Sequence, residues 1–94
     1  MGNDVRVKTG DGTEMAALFS AASSTPAPAI LILHEIFGMT DFIRSRLPLF
    51  NAHGYAAMAP DLYHRINPGA SYDYAGEDWE RAFATRNSLD DDLA

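Results

Sequence analysis

Two neighbouring residues, His34 and Glu35, place an imidazole beside a carboxylate directly after the apolar run Ala29-Ile30-Leu31-Ile32-Leu33. Such a pair could act as a general base or bind a metal ion. The three histidines of the chain are scattered, however, and none has the His-Glu-x-x-His spacing of a zinc site. We therefore expect no metal site, and we interpret His34 as a structural residue that helps to fix its loop.

No hydrolytic nucleophile stands in a recognisable sequence setting. The chain has no cysteine, and none of its serines lies in a Gly-x-Ser-x-Gly elbow between a strand and a helix. On spacing alone, Glu35 is typical of a solvated carboxylate at a strand end. Asp61, which follows Pro60, is typical of a strand-end residue that hydrogen-bonds the next loop.

Composition and charge exclude several classes of partner. The 94 residues carry a formal net charge of −6, and Lys8 is the only lysine. No stripe of basic residues is present that would bind nucleic acid or an anionic membrane. The N-terminal residues lack the order of a signal peptide, and the longest apolar run is too short to span a bilayer. We expect a cytoplasmic protein with neither nucleic acid nor membrane as a partner.

The apolar pattern predicts an α/β order of elements. Val5–Lys8 alternates apolar and charged residues, and Glu14–Phe19 could pair with it across the turn Gly10-Asp11-Gly12. The segment Ile30–Leu33 has no polar alternation, which is typical of a strand that is covered on both faces. Tyr55–Ala59 is a second candidate for such a strand.

Two helices complete the predicted order. Asp41–His53 has apolar residues at helical spacing, with Thr40 as its N-cap and Gly54 just beyond its end. Its length suits a crossover between parallel strands, although Pro48 should kink it or divide it into two short helices. Glu77–Arg86 is predicted as the second helix.

A third helix start is indicated near the end of the chain. Ser88, with Asp91 three residues later, forms a pair like a capping box. The acidic residues Asp90, Asp91 and Asp92 favour a helix N-terminus without the spacing of a calcium-binding loop. Because almost no helix follows, the sequence indicates an interrupted domain.

Three segments together resemble the dienelactone hydrolase family. They are His34-Glu35-Ile36-Phe37-Gly38, the run from Gly54-Tyr55 to Pro60-Asp61-Leu62-Tyr63, and Pro68-Gly69. The resemblance implies an α/β class, namely an incomplete α/β-hydrolase fold with an N-terminal hairpin followed by parallel strands with crossover helices. Residues 1–94 would form a single partial domain, the N-terminal part of such a hydrolase.

The resemblance also implies a reaction, the hydrolysis of a small ester or lactone, with no metal or organic cofactor. It implies that the nucleophile, the triad acid and the triad histidine all lie outside this chain. Glu35 matches a glutamate that tunes the nucleophile, and Ile36 matches a residue whose backbone N–H belongs to the oxyanion hole. Arg81 is the nearest match to an arginine that binds the substrate carboxylate.

Other interpretations remain open. Because no nucleophile elbow is present, the chain could instead be a small non-catalytic α/β module or an interaction partner. The apolar strands Ile30–Leu33 and Tyr55–Ala59 could leave a sheet edge that pairs with another copy or with a complementing chain. Four aromatic side chains could line a substrate pocket or cover the core beneath the long loop: Tyr63, Tyr72, Tyr74 and Trp79.

Overall fold

The computed structural model describes residues 3–24 and 26–89, which form a four-stranded mixed sheet and two helices. The elements are β1 (Asn3–Lys8), β2 (Glu14–Ser20), β3 (Ala29–Leu31), α1 (Asp41–Ala52), β4 (Ala56–Pro60) and α2 (Glu77–Asn87). In this part of the chain no helix is long and apolar enough to cross a membrane. The predicted order of elements is confirmed, with small shifts at their ends.

The strands β1 and β2 form the predicted hairpin. They pair antiparallel, with Val5 opposite Ala17 and Val7 opposite Met15. The turn between them closes through the Thr9 N–H, which donates to the Thr13 carbonyl at 2.9 Å. Gly12 takes a φ of 89° in this turn, a conformation that glycine adopts without a steric cost.

The strands β3 and β4 are parallel neighbours, with Ile30 opposite Ala57, and α1 connects them. The sheet order is β1-β2-β4-β3, so the antiparallel hairpin joins the parallel pair through β2 and β4. This arrangement confirms the predicted crossover helix between parallel strands.

Both ends of α1 are capped as the sequence predicts. The Thr40 hydroxyl accepts a hydrogen bond from the Ile43 N–H at 3.4 Å. At the other end, the Tyr55 N–H donates to the Phe50 carbonyl and the Gly54 N–H to the Asn51 carbonyl. With Gly54 at a φ of 89°, these two bonds form a Schellman motif that ends the helix.

Pro48 lies inside α1, which runs as a single helix from Asp41 to Ala52. The predicted alternative of two short helices is therefore wrong. Pro48 is exposed, so its ring displaces no packed side chain, while Ile43 and Leu47 are buried and hold the helix against the sheet. One lost backbone hydrogen bond is offset by that packing. The other helix-start prediction involved Asp91, which lies outside the described residues, and Ser88 is the C-cap of α2.

The core lies between α1 and one face of the sheet. Its buried residues are Leu18, Met39, Ile43, Leu47, Ala57 and Ala59. The two alanines of β4 are small, which lets α1 approach the sheet closely. Burial of these apolar side chains is the main favourable term that holds the helix on the sheet.

The sheet edge formed by β3 is more exposed than the sequence predicts. Leu31 is 60% exposed and Leu33 is 61% exposed, although the apolar run to which they belong was expected to be covered on both faces. The physical reason is that β3 is an edge strand, and within the described residues only β4 pairs with it. The strand and its parallel pairing are confirmed, whereas its full coverage is wrong for this chain.

Candidate functional site

The loops that follow the two parallel strands meet at one end of the sheet. His34–Ile36 follows β3, while Leu62 and Tyr63 follow β4. Together with Arg86 and Leu89 they line a cavity of about 330 Å³. The carboxyl ends of parallel strands are where open α/β sheets bind their ligands, so this cavity is the candidate site.

The loop after β4 is fixed by Asp61, which is 1% exposed. Its carboxylate accepts hydrogen bonds from the Tyr63 N–H at 3.0 Å and from the Gly69 N–H at 2.7 Å. Its own N–H donates to the Ala16 carbonyl of β2 at 3.0 Å. The prediction that Asp61 bonds the following loop is confirmed, and its carboxylate has no catalytic position in the cavity.

Tyr63 connects the loop after β4 to the loop after β3. Its side chain is 1% exposed, and its hydroxyl donates to the Ile36 carbonyl at 2.8 Å. Burial raises the pKa of Tyr63 above its ordinary value of 10.0, and the positive charge of Arg86 partly opposes this change. The phenol therefore keeps its proton at neutral pH and remains a hydrogen-bond donor.

His34 also joins the two loops. Its Nε2 accepts a hydrogen bond from the Leu62 N–H at 3.0 Å, and its Nδ1 lies 2.6 Å from the Glu35 carbonyl oxygen. A backbone N–H can only donate, so Nε2 is the acceptor and Nδ1 carries the ring proton. The ring packs against Tyr63 with centroids 4.9 Å apart. The interpretation of His34 as a residue that fixes its loop is confirmed.

Glu35 and Ile36 line the cavity, and each has a polar group without a partner among the described residues. Glu35 is exposed, and its carboxylate takes part in none of the hydrogen bonds or ion pairs in this part of the chain. The Ile36 carbonyl is occupied by Tyr63, whereas the Ile36 N–H donates to no described residue. The structure thus places both predicted site residues in the cavity lining, while their catalytic roles stay predictions.

The two arginines of α2 occupy different positions. The side chain of Arg81 is 63% exposed and forms ion pairs with Asp78 at 2.9 Å and with Glu77 at 3.4 Å. It is absent from the cavity lining, which instead contains Arg86. Sequence reasoning missed Arg86 because a basic residue in the last turn of a helix is expected there in any case, since it complements the helix dipole.

Gly38 holds the far side of the loop that follows β3. It has a φ of 82°, and a Cβ atom at this position would overlap the backbone carbonyl of Ala70. Close approach is needed because the Met39 N–H donates to that carbonyl at 2.8 Å and the Tyr72 N–H donates to the Phe37 carbonyl. Only glycine fits this conformation and this space.

The aromatic residues divide between the cavity and the core. Tyr63 lines the cavity, whereas Tyr74 and Trp79 pack edge-on against the buried ring of Phe37 with centroids 4.4 and 5.3 Å away. Tyr72 hydrogen-bonds the Thr85 hydroxyl at 2.6 Å. Tyr74 and Trp79 thus cover a buried side chain, as one of the two predicted uses requires, while a substrate pocket at Tyr63 stays a prediction.

Candidate metal ligands do not cluster in the described part of the chain, where no group of three or more His, Cys, Asp or Glu side chains could hold an ion. Outside the cavity, His64 donates to or accepts from the Thr13 hydroxyl at 3.1 Å. His53 lies at the end of α1, with its Nδ1 3.0 Å from the Leu49 carbonyl.

Relatives of known family were found by sequence. A model of the dienelactone hydrolase family matches residues 15–94. A protein of Azospirillum brasilense classed as a carboxymethylenebutenolidase is 37% identical over 91 residues, which are 95% of this chain and 39% of the relative. The carboxymethylenebutenolidase of Pseudomonas putida is 39% identical over 69 residues, which are 73% of this chain and 29% of that enzyme.

A solved structure supports the fold. A Klebsiella pneumoniae protein classed with the dienelactone hydrolases superimposes with a TM-score of 0.78 at 22% identity, over 99% of this chain and 38% of the other. The chain therefore spans less than two fifths of the length of these three proteins. Its hairpin, parallel strand pair and crossover helix correspond to part of an α/β-hydrolase fold. Because the family model covers most of its residues, the chain belongs to the dienelactone hydrolase family.

Proposed function

We propose that the protein containing this chain hydrolyses carboxylic esters or lactones, with Glu35 and Ile36 beside the reacting carbonyl. One observation carries the proposal: Glu35 and Ile36, whose carboxylate and backbone N–H have no partners among the described residues, both line a cavity at the carboxyl end of parallel strands. The names of the relatives agree with it, because a carboxymethylenebutenolidase is named for a butenolide, which is a lactone, with a carboxymethylene substituent that carries a carboxylate.

The Ile36 N–H would stabilise the charge that develops during the reaction. When a nucleophile attacks an ester or lactone carbonyl, negative charge moves onto the carbonyl oxygen. A donor that is already oriented toward that position stabilises the charge without reorganisation. Removing one such donor from a hydrolase costs about 10²- to 10³-fold in kcat, so a single backbone N–H is a sufficient reason for the loop to be held in place.

Glu35 would act on the nucleophile. An ionised carboxylate is an acceptor only, so it can accept a hydrogen bond from a resting thiol or hydroxyl and help to activate it. The chain has no cysteine and no serine in a nucleophile elbow. We therefore infer that the nucleophile, the triad acid and the triad histidine come from residues outside these 94. The greater length of the relatives supports this inference.

An arginine at the cavity would bind the carboxylate of an anionic substrate. The family resemblance nominates Arg81, but that side chain is engaged with Asp78 and Glu77. The cavity lining favours Arg86. The variants Arg86→Gln and Arg81→Gln separate the two: a carboxylated lactone should show a roughly tenfold higher KM in the variant that loses its binding residue. A neutral ester should show no change in either.

The exposed edge of β3 bears on the alternative of a non-catalytic module. Leu31 and Leu33 present apolar surface and unpaired strand groups, which disfavours a stable isolated domain. We propose that a further polypeptide segment covers this edge, and that a second copy of the chain is the competing occupant. Binding of an apolar dye by this chain supports an uncovered edge, whereas the absence of dye binding by a monomer supports the non-catalytic module.

We also propose a cytoplasmic location for the hydrolase, which cell fractionation checks.

The deciding experiment expresses the gene in its natural reading frame and measures the mass of the product under denaturing conditions. Hydrolysis of a nitrophenyl ester and of a γ-lactone is then assayed for the unsubstituted protein, Glu35→Gln and the matched control Glu80→Gln. We expect hydrolysis that falls roughly 10- to 100-fold in Glu35→Gln and is unchanged in the control. A product that hydrolyses neither substrate, or an unaffected Glu35→Gln variant, contradicts the proposal.

A further inference from the structure

The peptide that joins Glu35 to Ile36 is held from one side only. In a planar trans peptide the C=O and the N–H point in opposite directions, so fixing one fixes the other. The Glu35 carbonyl of this peptide is bonded by the His34 imidazole at 2.6 Å and by the Gly38 N–H at 3.1 Å. The Ile36 N–H on the other side donates to no described residue. Its direction is therefore set by whatever holds the carbonyl.

The imidazole that holds this carbonyl is itself held firmly. His34 is 9% exposed, and its Nε2 accepts the Leu62 N–H from the neighbouring loop at 3.0 Å. This second bond assigns the ring proton to Nδ1, which is the atom that faces the Glu35 carbonyl. The contact with the Tyr63 ring limits rotation of the imidazole.

The next peptide is fixed by a different residue. Tyr63 donates to the Ile36 carbonyl at 2.8 Å, so the peptides on both sides of Ile36 are anchored through their carbonyls. Rotation of the Ile36 N–H out of its present direction would require one of these anchors to break. Both anchors reach the loop from the β4 side of the site, through Leu62 and Tyr63.

We propose that His34 is a positioning residue for the oxyanion donor: it orients the Glu35–Ile36 peptide so that the Ile36 N–H faces the substrate carbonyl. A carbonyl that accepts hydrogen bonds polarises its peptide, which also makes the N–H of that peptide a stronger donor. His34 touches no reacting atom in this role and transfers no proton. The inference rests on the proposed function for its catalytic consequence, but its structural part is independent of it.

The first test is the tautomer of His34, measured by long-range ¹H–¹⁵N correlation on the full chain labelled with ¹⁵N. We expect the ring proton on Nδ1 and an unprotonated Nε2 that accepts the Leu62 N–H. A ring with its proton on Nε2 overturns the inference, because such a ring cannot accept the Leu62 N–H and has no Nδ1 proton to donate to the Glu35 carbonyl.

The second test uses two substitutions of unequal chemistry. His34→Leu removes both nitrogens, whereas His34→Asn keeps an N–H donor near the position of Nδ1. We expect the Ile36 amide resonance to shift and broaden in His34→Leu and to recover toward its original position in His34→Asn. His53→Asn, at the exposed end of α1, is the matched control and should leave that resonance unchanged. An Ile36 resonance that is unaffected by His34→Leu overturns the inference.

The third test measures the hydrolysis kinetics of the protein that is expressed from the natural reading frame. His34→Leu should lower kcat roughly 10- to 100-fold with little change in KM, and His34→Asn should recover most of the loss. A proton on Nδ1 with an unchanged kcat in His34→Leu overturns the catalytic role. If His34→Leu does not fold, the tautomer of His34 and the kcat of His34→Asn test the inference instead. A proton on Nδ1 and a kcat in His34→Asn close to that of His53→Asn support it, and a proton on Nε2 overturns it. An unsubstituted protein without hydrolysis contradicts the proposed function alone, and the amide measurements still test the orientation.

Discussion

The loops after β3 and β4 lie side by side and differ in how their polar groups are used. After β4, the carboxylate of Asp61 is fully buried and accepts two backbone hydrogen bonds. After β3, the carboxylate of Glu35 is exposed, and the Ile36 N–H has no partner among the described residues. The two segments have the same position relative to parallel strands, yet one is a support and the other is open to the cavity.

The difference teaches how a site can be open and still precise. Tyr63 and His34 connect the well-ordered β4 loop to the β3 loop, because each bonds the carbonyl of a peptide that adjoins Ile36. The Glu35 and Ile36 carbonyls accept the hydrogen bonds that hold the loop, whereas the Ile36 N–H and the Glu35 carboxylate bond no described residue. Functional residues are often carried on loops that a rigid scaffold and supporting hydrogen bonds hold in place.

The largest expected effect on stability comes from the close backbone contact between Gly38, in the loop after β3, and Ala70. In Gly38→Ala the new Cβ would overlap the Ala70 carbonyl at a backbone φ of 82°, so we expect the free energy of unfolding to fall by about 3 kcal/mol or more. Urea denaturation followed by circular dichroism measures this. Gly10→Ala is the control, since a Cβ there meets nothing within 4 Å. Equal urea midpoints for the two variants would show that no close contact exists between Gly38 and the Ala70 carbonyl.

The support loop should respond next most strongly. Asp61→Ala leaves the N–H groups of Tyr63 and Gly69 without their carboxylate, and we expect a loss of about 2 to 3 kcal/mol in unfolding free energy. The same denaturation experiment applies, with the exposed Asp73→Ala as the matched control. If Asp61→Ala were as stable as the control, the contrast between the two loops would have no energetic basis.

The bond that crosses between the loops should have a smaller effect on stability. Tyr63→Phe removes one hydrogen bond to the Ile36 carbonyl, and we expect a loss of about 1 kcal/mol in unfolding free energy. Tyr55→Phe is the control, because its hydroxyl has no hydrogen bond within the described residues. The sharper readout is the Ile36 amide resonance, which should shift only in Tyr63→Phe. A shift in both variants would argue against a specific bond.

The smallest effect concerns the β1–β2 turn, whose residues do not line the candidate cavity. The Arg65 guanidinium, together with the hydroxyls of Thr9 and Thr13, holds the pKa of Asp11 well below its ordinary value of 3.8. A carboxyl with a lowered pKa in the folded state stabilises the fold above its unfolded pKa, and this contribution shrinks as the pH falls below that value. The urea midpoint of the unsubstituted chain should thus exceed that of Asp11→Asn at pH 7 and approach it by pH 2.

A constant difference between these two midpoints across that pH range would contradict the ion pair. Asp73→Asn is the comparison at each pH, because the loss of other carboxylate interactions in acid affects all of the chains alike. The expected difference is small, since Asp11 lies at an exposed turn where solvent screens the charges.

Much of the fold follows from local sequence signals. The hairpin, the crossover helix and the second helix were predicted because their apolar periods and turn residues act over a few positions. Thr40 and Gly54 mark the ends of α1 because their roles depend only on neighbouring backbone groups. Burial of β3 could not be predicted in this way, since it depends on which element packs against the edge.

The site was only partly predictable for the same reason. Glu35 and Ile36 were reached through the family resemblance of their own segment, which is continuous in sequence. The bond from Tyr63 to Ile36 joins residues 27 positions apart, and no local pattern indicates it. Arg86 lines the cavity and Arg81 does not, because the five positions between them in α2 are more than one helical turn and put the two side chains on different faces of the helix.

Hydrogen–deuterium exchange resolved by NMR tests the contrast between the loops most directly. It compares the amides of Ile36, Leu62 and Tyr63 within one sample of the full chain. We expect the Ile36 N–H to exchange at nearly the rate of an unprotected peptide, and the Leu62 and Tyr63 N–H groups to exchange at least about tenfold more slowly because both donate hydrogen bonds. An Ile36 amide as protected as that of Tyr63 would mean that its N–H is already occupied, which would contradict an open oxyanion donor at this site.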